Sequence, residues 1–300
     1  MQSARTFRFG VVAAQARSGE EWVRKAQRIE ELGYSTVVMP DGLRYTLSPL
    51  PALASAAAAT HTLRVGTYVI DNDYRNPVQL AKEAATLDFL SGGRLELGIG
   101  AGRPAAAEDN RMLGIPFESG GVRLARLAES LTIVKSVLEG KPASLNGAHY
   151  TLEGAQVDPK AVQQPRPPVL IAGSGKQMLR LAAREADTVA LGVQPTASEA
   201  EVAEKVDWLR EAAGDRFAHI ELNMNMMAVG QQIARYVASQ LGVDAETFGR
   251  TGSASALVGS TQEMCDTLER RRETLGISYV VVGDELMEAL APVVERLAGR

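Results

Sequence analysis

Ala85-Thr-Leu-Asp-Phe-Leu-Ser-Gly-Gly-Arg-Leu-Glu-Leu-Gly-Ile-Gly-Ala-Gly102 holds the end of a helix, a tight turn, a strand and a glycine-rich exit loop. Ala84, Leu87 and Leu90 keep helical spacing with Leu80. Gly92-Gly93 ends the helix, because glycine takes the left-handed cap without a steric penalty. Leu95, Leu97 and Ile99 then alternate as a strand does. Gly98, Gly100 and Gly102 follow where a barrel strand meets its C-terminal loop, and glycine there lets a backbone approach another backbone or a ligand.

The same unit recurs toward the N-terminus. Phe7 to Ala13, Thr36 to Met39 and Leu63 to Ile70 read as strands, and Leu95 to Ile99 is the fourth. Their spacing is about thirty residues, and each gap holds one helical stripe, which is a βα repeat with a parallel sheet. The first stripe is Trp22, Val23, Ala26, Ile29 and Leu32, capped by Gly33. An alanine-rich helix runs from Pro51 to Thr60, and Asn76-Pro77 starts the third.

Downstream, a polar loop spans Arg103 to Gly121 and a long helix runs from about Val122 to Leu138. Residues 140–168 break the rhythm. Asn146-Gly147 between Ala143-Ser-Leu and His149-Tyr-Thr-Leu signals a hairpin, and Pro159, Pro165, Pro167 and Pro168 mark an extended run. The rhythm resumes with strands at Val169–Ala172, Asp187–Leu191, Ile220–Asn223 and Ser278–Val282. Helices follow Lys176, Ser198, Ile233, Thr261 and Leu286, and the segment 242–258 has no clear pattern. Eight βα units predict a (β/α)8 TIM barrel, one domain over 1–300, with insertions after the fourth and seventh strands. A doubly wound open sheet is the alternative.

Composition excludes several classes. With 45% hydrophobic residues a sizeable core is expected. A net charge of -4 offers no basic face for nucleic acid. The single cysteine, Cys265, rules out an internal disulfide and a cysteine metal cluster, and reads as a buried thiol. The absence of a signal segment and of a long apolar run points to a cytoplasmic protein without membrane contact. His61, His149 and His219 lack metal-ligand spacing, so no metal site is expected. No Gly-x-Ser-x-Gly elbow appears, which disfavours a serine hydrolase.

In a barrel the chemistry sits on the loops after the strands. Those loops carry Asp41, Arg44 and Tyr45, then Asp71 to Arg75, then Arg103, Glu108, Asp109 and Arg111. After the fifth strand, Gly173-Ser174-Gly175-Lys176 opens a helix, where free N–H groups and the helix dipole favour a phosphate. A tight βα turn is the alternative. Arg44, Arg75, Arg103, Arg111 and Lys176 are candidates for a cationic rim that suits an anionic ligand.

The stretch 85–102 resembles the signature of the luciferase-like monooxygenase superfamily, and is most similar to the branch that uses the deazaflavin F420. The likeness runs from Phe7 to about Gly192. It implies the barrel fold, a small-molecule substrate and a deazaflavin, F420, with FMN and a two-component monooxygenase as the alternative. A flavin or F420 reductase partner and a homodimer are also implied, the latter through Leu53, Ala54 and Ala56 to Ala59. The catalytic candidates are Asp41 and Glu108. The cofactor candidates are Asp41, Tyr68, Val69, Asp71, Gly100, Gly102, Arg103 and the phosphate turn Gly173, Ser174, Gly175 and Lys176. Many F420-using relatives carry Asp-His where this chain has Asp41-Gly42. The missing histidine argues against sugar-phosphate dehydrogenation and keeps a non-catalytic cofactor-binding barrel open. The resemblance further implies a non-prolyl cis peptide at Tyr68-Val69, behind the cofactor ring.

Overall fold

The computed structural model describes residues 5–45 and 47–300. In chain order the elements begin with β1 (Arg8–Val12), α1 (Gly19–Glu31), β2 (Thr36–Met39), α2 (Pro49–Ala59), β3 (Arg64–Thr67), β4 (Ile70–Asp71), α3 (Pro77–Leu90) and β5 (Leu95–Gly100). There follow α4 (Ala107–Leu113), α5 (Gly120–Leu138), β6 (Ala143–Asn146), β7 (Thr151–Ala155), β8 (Val169–Gly173), α6 (Lys176–Glu185), β9 (Thr188–Leu191), α7 (Glu199–Ala213) and β10 (Glu221–Met226). The chain ends with β11 (Ala228–Val229), β12 (Gln232–Ile233), α8 (Arg235–Leu241), α9 (Ala245–Arg250), β13 (Ala256–Leu257), α10 (Thr261–Leu275), β14 (Ile277–Gly283) and α11 (Met287–Leu297).

The main sheet runs β3-β2-β1-β14-β10-β9-β8-β5-β4, and β3 also pairs with β5. β3 and β4 are one strand broken at Tyr68-Val69, so the units number eight and the fold is the expected (β/α)8 barrel. The chain divides into two compact units, residues 5–13, 28–37 and 172–300, and residues 14–27 and 38–171.

In the second of these units the signature stretch supplies architecture. Gly92 and Gly93 take φ of 66° and 84° and end α3 as expected. Asp88 is buried and accepts the N–H groups of Val162 (2.7 Å) and Gln163 (3.0 Å) and the Gln163 amide (2.7 Å). One carboxylate thereby fixes the extended run after the hairpin. Arg94 donates to the carbonyls of Ser91, Leu63 and Ala57, at 2.7, 2.8 and 2.7 Å, tying α2 and the start of β3 to the helix end. Glu96 pairs with Arg64 at 2.6 Å. Leu80, Ala84 and Leu87 are buried, but Phe89 and Leu90, the last two residues of α3, are exposed.

One expectation in this unit needs correction. The polar loop 103–121 contains a helix, α4, with Glu108 and Asp109 in its first turn and Gly114 as a left-handed C-cap at φ 69°. The hairpin β6–β7 forms as expected, and Gly147 is not among the positive-φ glycines. Glu129 of α5 accepts the N–H groups of Ala148, His149 and Tyr150 at 2.8, 2.9 and 3.0 Å. A Cβ at Gly147 would lie 2.3 Å from Glu129 Oε2, so the glycine makes room for that carboxylate.

In the other unit β1 and β10 flank β14 in parallel register. Arg8 meets Glu221 at 2.8 and 2.7 Å near the strand starts and stacks 3.8 Å over the Tyr279 ring. The ion pair lies at the strand starts, the end of such barrels that serves stability. Ser198-Glu201 and Ser260-Glu263 form capping boxes on α7 and α10. The unpatterned segment 242–258 holds α9 and β13, and Ile233, expected to start a helix, belongs to β12. Buried Arg271 of α10 donates to the Ala256 carbonyl (3.3 Å) and to Glu199 (2.8 Å), which holds the small sheet β12-β11-β13 against its helix. Cys265 is buried, as expected.

Candidate active site

The exits of β2, β4 and β5, all in the second unit, bring together most of the expected ring-site residues. The strand interruption decides their arrangement. The Tyr68-Val69 peptide is cis, at the position the resemblance implies. The Tyr68 N–H donates to the Met39 carbonyl at 2.6 Å, and the chain resumes as β4 with Ile70 and Asp71 opposite Ile99 and Gly100.

The exit glycines fit this interruption closely. A Cβ at Gly98 would lie 2.0 Å from the Thr67 carbonyl oxygen, and one at Gly100 2.8 Å from Val69 Cγ2. Val69 therefore turns its side chain onto Gly98 and Gly100. Gly102, at φ 75°, would place a Cβ 2.8 Å from Asp71 Oδ2. All three glycines are required by neighbouring protein atoms before any ligand is considered.

Four carboxylates gather here. Asp41, with a side chain 6% exposed, is held by both terminal nitrogens of Arg75 and accepts the Asp71 N–H at 3.3 Å. Asp73 pairs with Arg126 at 2.9 Å. Asp109 accepts the Leu43 N–H at 3.1 Å and lies 3.5 Å from the Tyr74 hydroxyl. Asp71 accepts the Asp73 N–H at 3.0 Å through Oδ1. Burial pushes its carboxyl up to about 6, helped by the charges of Asp73 and Asp41 and opposed by the Asp73 N–H bond and by Arg123. The Tyr74 hydroxyl is raised by burial and by the charges of Asp71, Asp109 and Asp41.

The remaining candidates stand further out. Glu108 is 65% exposed and lies 3.5 Å from Arg44. Arg44 also donates to the Ala105 carbonyl at 3.2 Å, and Arg103 to the Tyr45 hydroxyl at 3.2 Å. Arg44, Arg75 and Arg103 are thus engaged within their own unit. Sequence reading missed Arg123. It is buried in α5, donates to the carbonyls of Ala101 (2.9 Å) and Glu118, and stacks 3.9 Å over Phe117. The signal was available, since Arg123 stands four residues before Leu127 on the apolar stripe.

The turn Gly173-Ser174-Gly175-Lys176 lies in the other unit. Gly175 is the N-cap of α6 and offers no side-chain cap, which leaves the first-turn N–H groups to an outside acceptor. A Cβ at Gly175 would meet nothing within 4 Å, whereas one at Gly173 would lie 2.1 Å from Met178 Cγ. Lys176 rests 4.5 Å over the Trp208 ring. Lys205, which no sequence signal marks, donates to the Ser174 carbonyl at 3.0 Å. Two ammonium groups and an open helix start make a fitting acceptor for an anion. Among the described residues, no three His, Cys, Asp or Glu side chains are arranged to hold a metal. No described helix is long and apolar enough to cross a membrane.

A family model described as luciferase-like monooxygenase matches residues 5–235. The chain belongs to that family. An F420-dependent glucose-6-phosphate dehydrogenase of Beutenbergia cavernae is 30% identical over 168 residues, 53% of this chain and 48% of that protein. The oxygenase component of a flavin-dependent trigonelline monooxygenase from Acinetobacter baylyi is 27% identical over 69% of this chain and 58% of its own. The matches to the F420-dependent glucose-6-phosphate dehydrogenases span only about half of those relatives, 48% and 55%. Among solved structures, the coenzyme F420-dependent tetrahydromethanopterin reductase of Methanopyrus kandleri superposes with a TM-score of 0.78. It is 19% identical, with 98% of this chain and 100% of that one covered. This last likeness is one of fold.

Proposed function

We propose that the chain is an oxidoreductase that binds F420 and transfers hydride between the deazaflavin and a small organic substrate. The observation that carries the reading is the anion turn. An uncapped helix start flanked by Lys176 and Lys205 suits a cofactor phosphate, which F420 and FMN both carry. Gly173, Ser174, Gly175 and Lys176 would hold that group. Tyr68, Val69, Asp71, Gly100, Gly102 and Arg103 would hold the ring. When bound, the deazaflavin supplies a carbon that accepts or donates hydride, and the protein supplies orientation and electrostatics. Asp41, fully engaged by Arg75 and the Asp71 N–H, serves as the anchor of β4 rather than as a proton carrier. Glu108 is exposed and would contact the substrate.

Similarity to F420-dependent relatives supports F420 over FMN. Similarity to the trigonelline monooxygenase supports the second reading, an FMN-dependent oxygenase served by a flavin reductase. Purified protein titrated separately with F420 and FMN, followed by absorbance and fluorescence, tests the assignment. Tight binding of F420 alone supports the first reading and of FMN alone the second. Binding of both without turnover over a substrate panel leaves a cofactor carrier.

A cytoplasmic homodimer completes the proposal. Leu53, Ala56 and Ala57 are buried within the chain, so the expected α2 face is reduced to Ala54, Ala58 and Ala59. Exposed Phe89 and Leu90 on α3 extend the apolar surface available for pairing. Light scattering that gives only the 32.0 kDa species would defeat it.

A further inference from the structure

Hydride transfer to or from an oxygen-bearing carbon also moves a proton. A group must hold that proton. The four carboxylates at the β2, β4 and β5 exits are candidates, and their partners separate them. Asp41 is bound by Arg75 and Asp73 by Arg126. Asp109 accepts the Leu43 N–H and faces Tyr74. Arg44 also stands 3.9 Å from Asp109 Oδ1, so each of these three carboxylates has an arginine within ion-pair distance.

Asp71 differs from these in having no arginine at ion-pair distance among the described residues. Its Oδ1 accepts one N–H, from Asp73, and its Oδ2 takes no hydrogen bond among the described residues. Oδ2 lies over Gly102, whose missing Cβ leaves it space. The groups that face it are Asp41 from the β2 exit, Asp73 and Tyr74 from its own turn, and Arg123 from α5. Arg123 is the one cation among them, and its nitrogens bond to the Ala101 and Glu118 carbonyls. The residue is 8% exposed, so it is shielded without being sealed.

We infer that Asp71 is the proton-holding residue of this site, exchanging a proton through Oδ2 with the oxygen of an alcohol or carbonyl substrate. This rests on the hydride-transfer reading above. In the oxidative direction the O–H and C–H bonds of the alcohol break and a C=O bond forms. The two electrons leave with the hydride to the oxidised deazaflavin, and the proton rests on Asp71. Reduction of the carbonyl runs the same steps backward. A carboxyl that titrates close to neutral pH is matched to this work.

Carbon-13 NMR of the full chain labelled at aspartate carboxyls tests the assignment. One resonance should titrate with a midpoint near 6, vanish in Asp71→Asn and remain in Asp73→Asn. Adding F420 should move that midpoint by about half a pH unit or more, since a bound anionic ring adds charge and removes water. A resonance with an ordinary midpoint near 4 overturns the inference. So does a midpoint that stays fixed while fluorescence quenching reports F420 bound. If neither F420 nor FMN binds the wild-type chain, the cofactor reading fails and the catalytic role falls with it. The midpoint then still tells whether Asp71 holds a proton.

Discussion

Gly42 and Asp109 share one small space: a Cβ on Gly42 would lie 3.0 Å from Asp109 Oδ2, and the glycine backbone has a φ of 154°. Asp109 uses that oxygen to accept the Leu43 N–H, so α4 is tied to the β2 exit, where the resemblance implies a histidine in place of Gly42. Gly42→His should therefore fail as a simple restoration. Backbone strain and crowding together should cost about 2 kcal/mol. Thermal denaturation should show the loss, and Asp109→Ala should relieve part of it. An unchanged Tm in Gly42→His would show that the loop adapts freely.

The exit glycines should rank by what each would strike. Gly98→Ala drives a Cβ to 2.0 Å from the Thr67 carbonyl, a backbone atom with nowhere to rotate. Its cost should reach about 3 kcal/mol or more, beyond ordinary overpacking. Gly100→Ala meets a Val69 methyl at 2.8 Å and should cost about 1–2 kcal/mol. Trimming the neighbour with Val69→Ala should recover part of this, giving a coupled pair in a double-mutant cycle. Equal losses for the two glycines, or strict additivity, would contradict the packing described.

These contacts also show what sequence can and cannot carry. The eight βα units were legible because strand alternation and helical stripes are local periodicities. The broken third strand, with its cis Tyr68-Val69 bond, was accessible only through resemblance, since Leu63 to Ile70 reads as one continuous strand. The helix α4 was missed because a seven-residue segment with Glu108, Asp109, Asn110 and Arg111 shows almost no apolar period, although Gly114 marked its end. Lys205 and Trp208 lie about thirty residues from the turn they flank, and no spacing rule connects them. The pairing of Asp41 with Arg75 and the isolation of Asp71 depend on three-dimensional placement of like residue types.

For the anion turn, Lys176→Ala and Lys205→Ala should each weaken F420 binding by about 1 kcal/mol, roughly fivefold, as for a charge-assisted contact. Gly175→Ala meets nothing within 4 Å and has a φ of -89°, so its thermal stability should match wild type. A bulkier residue at Gly175 should lower affinity alone. Fluorescence titration beside thermal denaturation reads both effects. Unchanged affinity in all three variants places the phosphate elsewhere.

Asp71 should leave a mark on stability. Its native carboxyl titrates at about 6 against 3.8 for the ordinary group, so between these values the folded chain binds more protons than the unfolded one. Stability contributed by this residue is greatest below pH 4, falls as pH rises to 6 and stays low above it. The rise corresponds to about 3 kcal/mol. Asp71→Asn should accordingly raise Tm at pH 7.5 and make little difference at pH 4. A variant less stable than wild type at pH 7.5 would mean that the ionised carboxylate is favoured by the fold.

Asp88 and Arg94, two of the three charged residues of the signature stretch, spend their hydrogen bonds on Val162, Gln163, Ser91, Leu63 and Ala57. Both act through folding. A descendant that had lost its reaction would still need both residues to close its backbone. A match through this stretch therefore measures ancestry, and two chains can share it in full while performing different chemistry or none. Annotation transferred along it is informative about lineage, and assays directed at positions such as 42 and 71 are what distinguish one catalyst in that lineage from another.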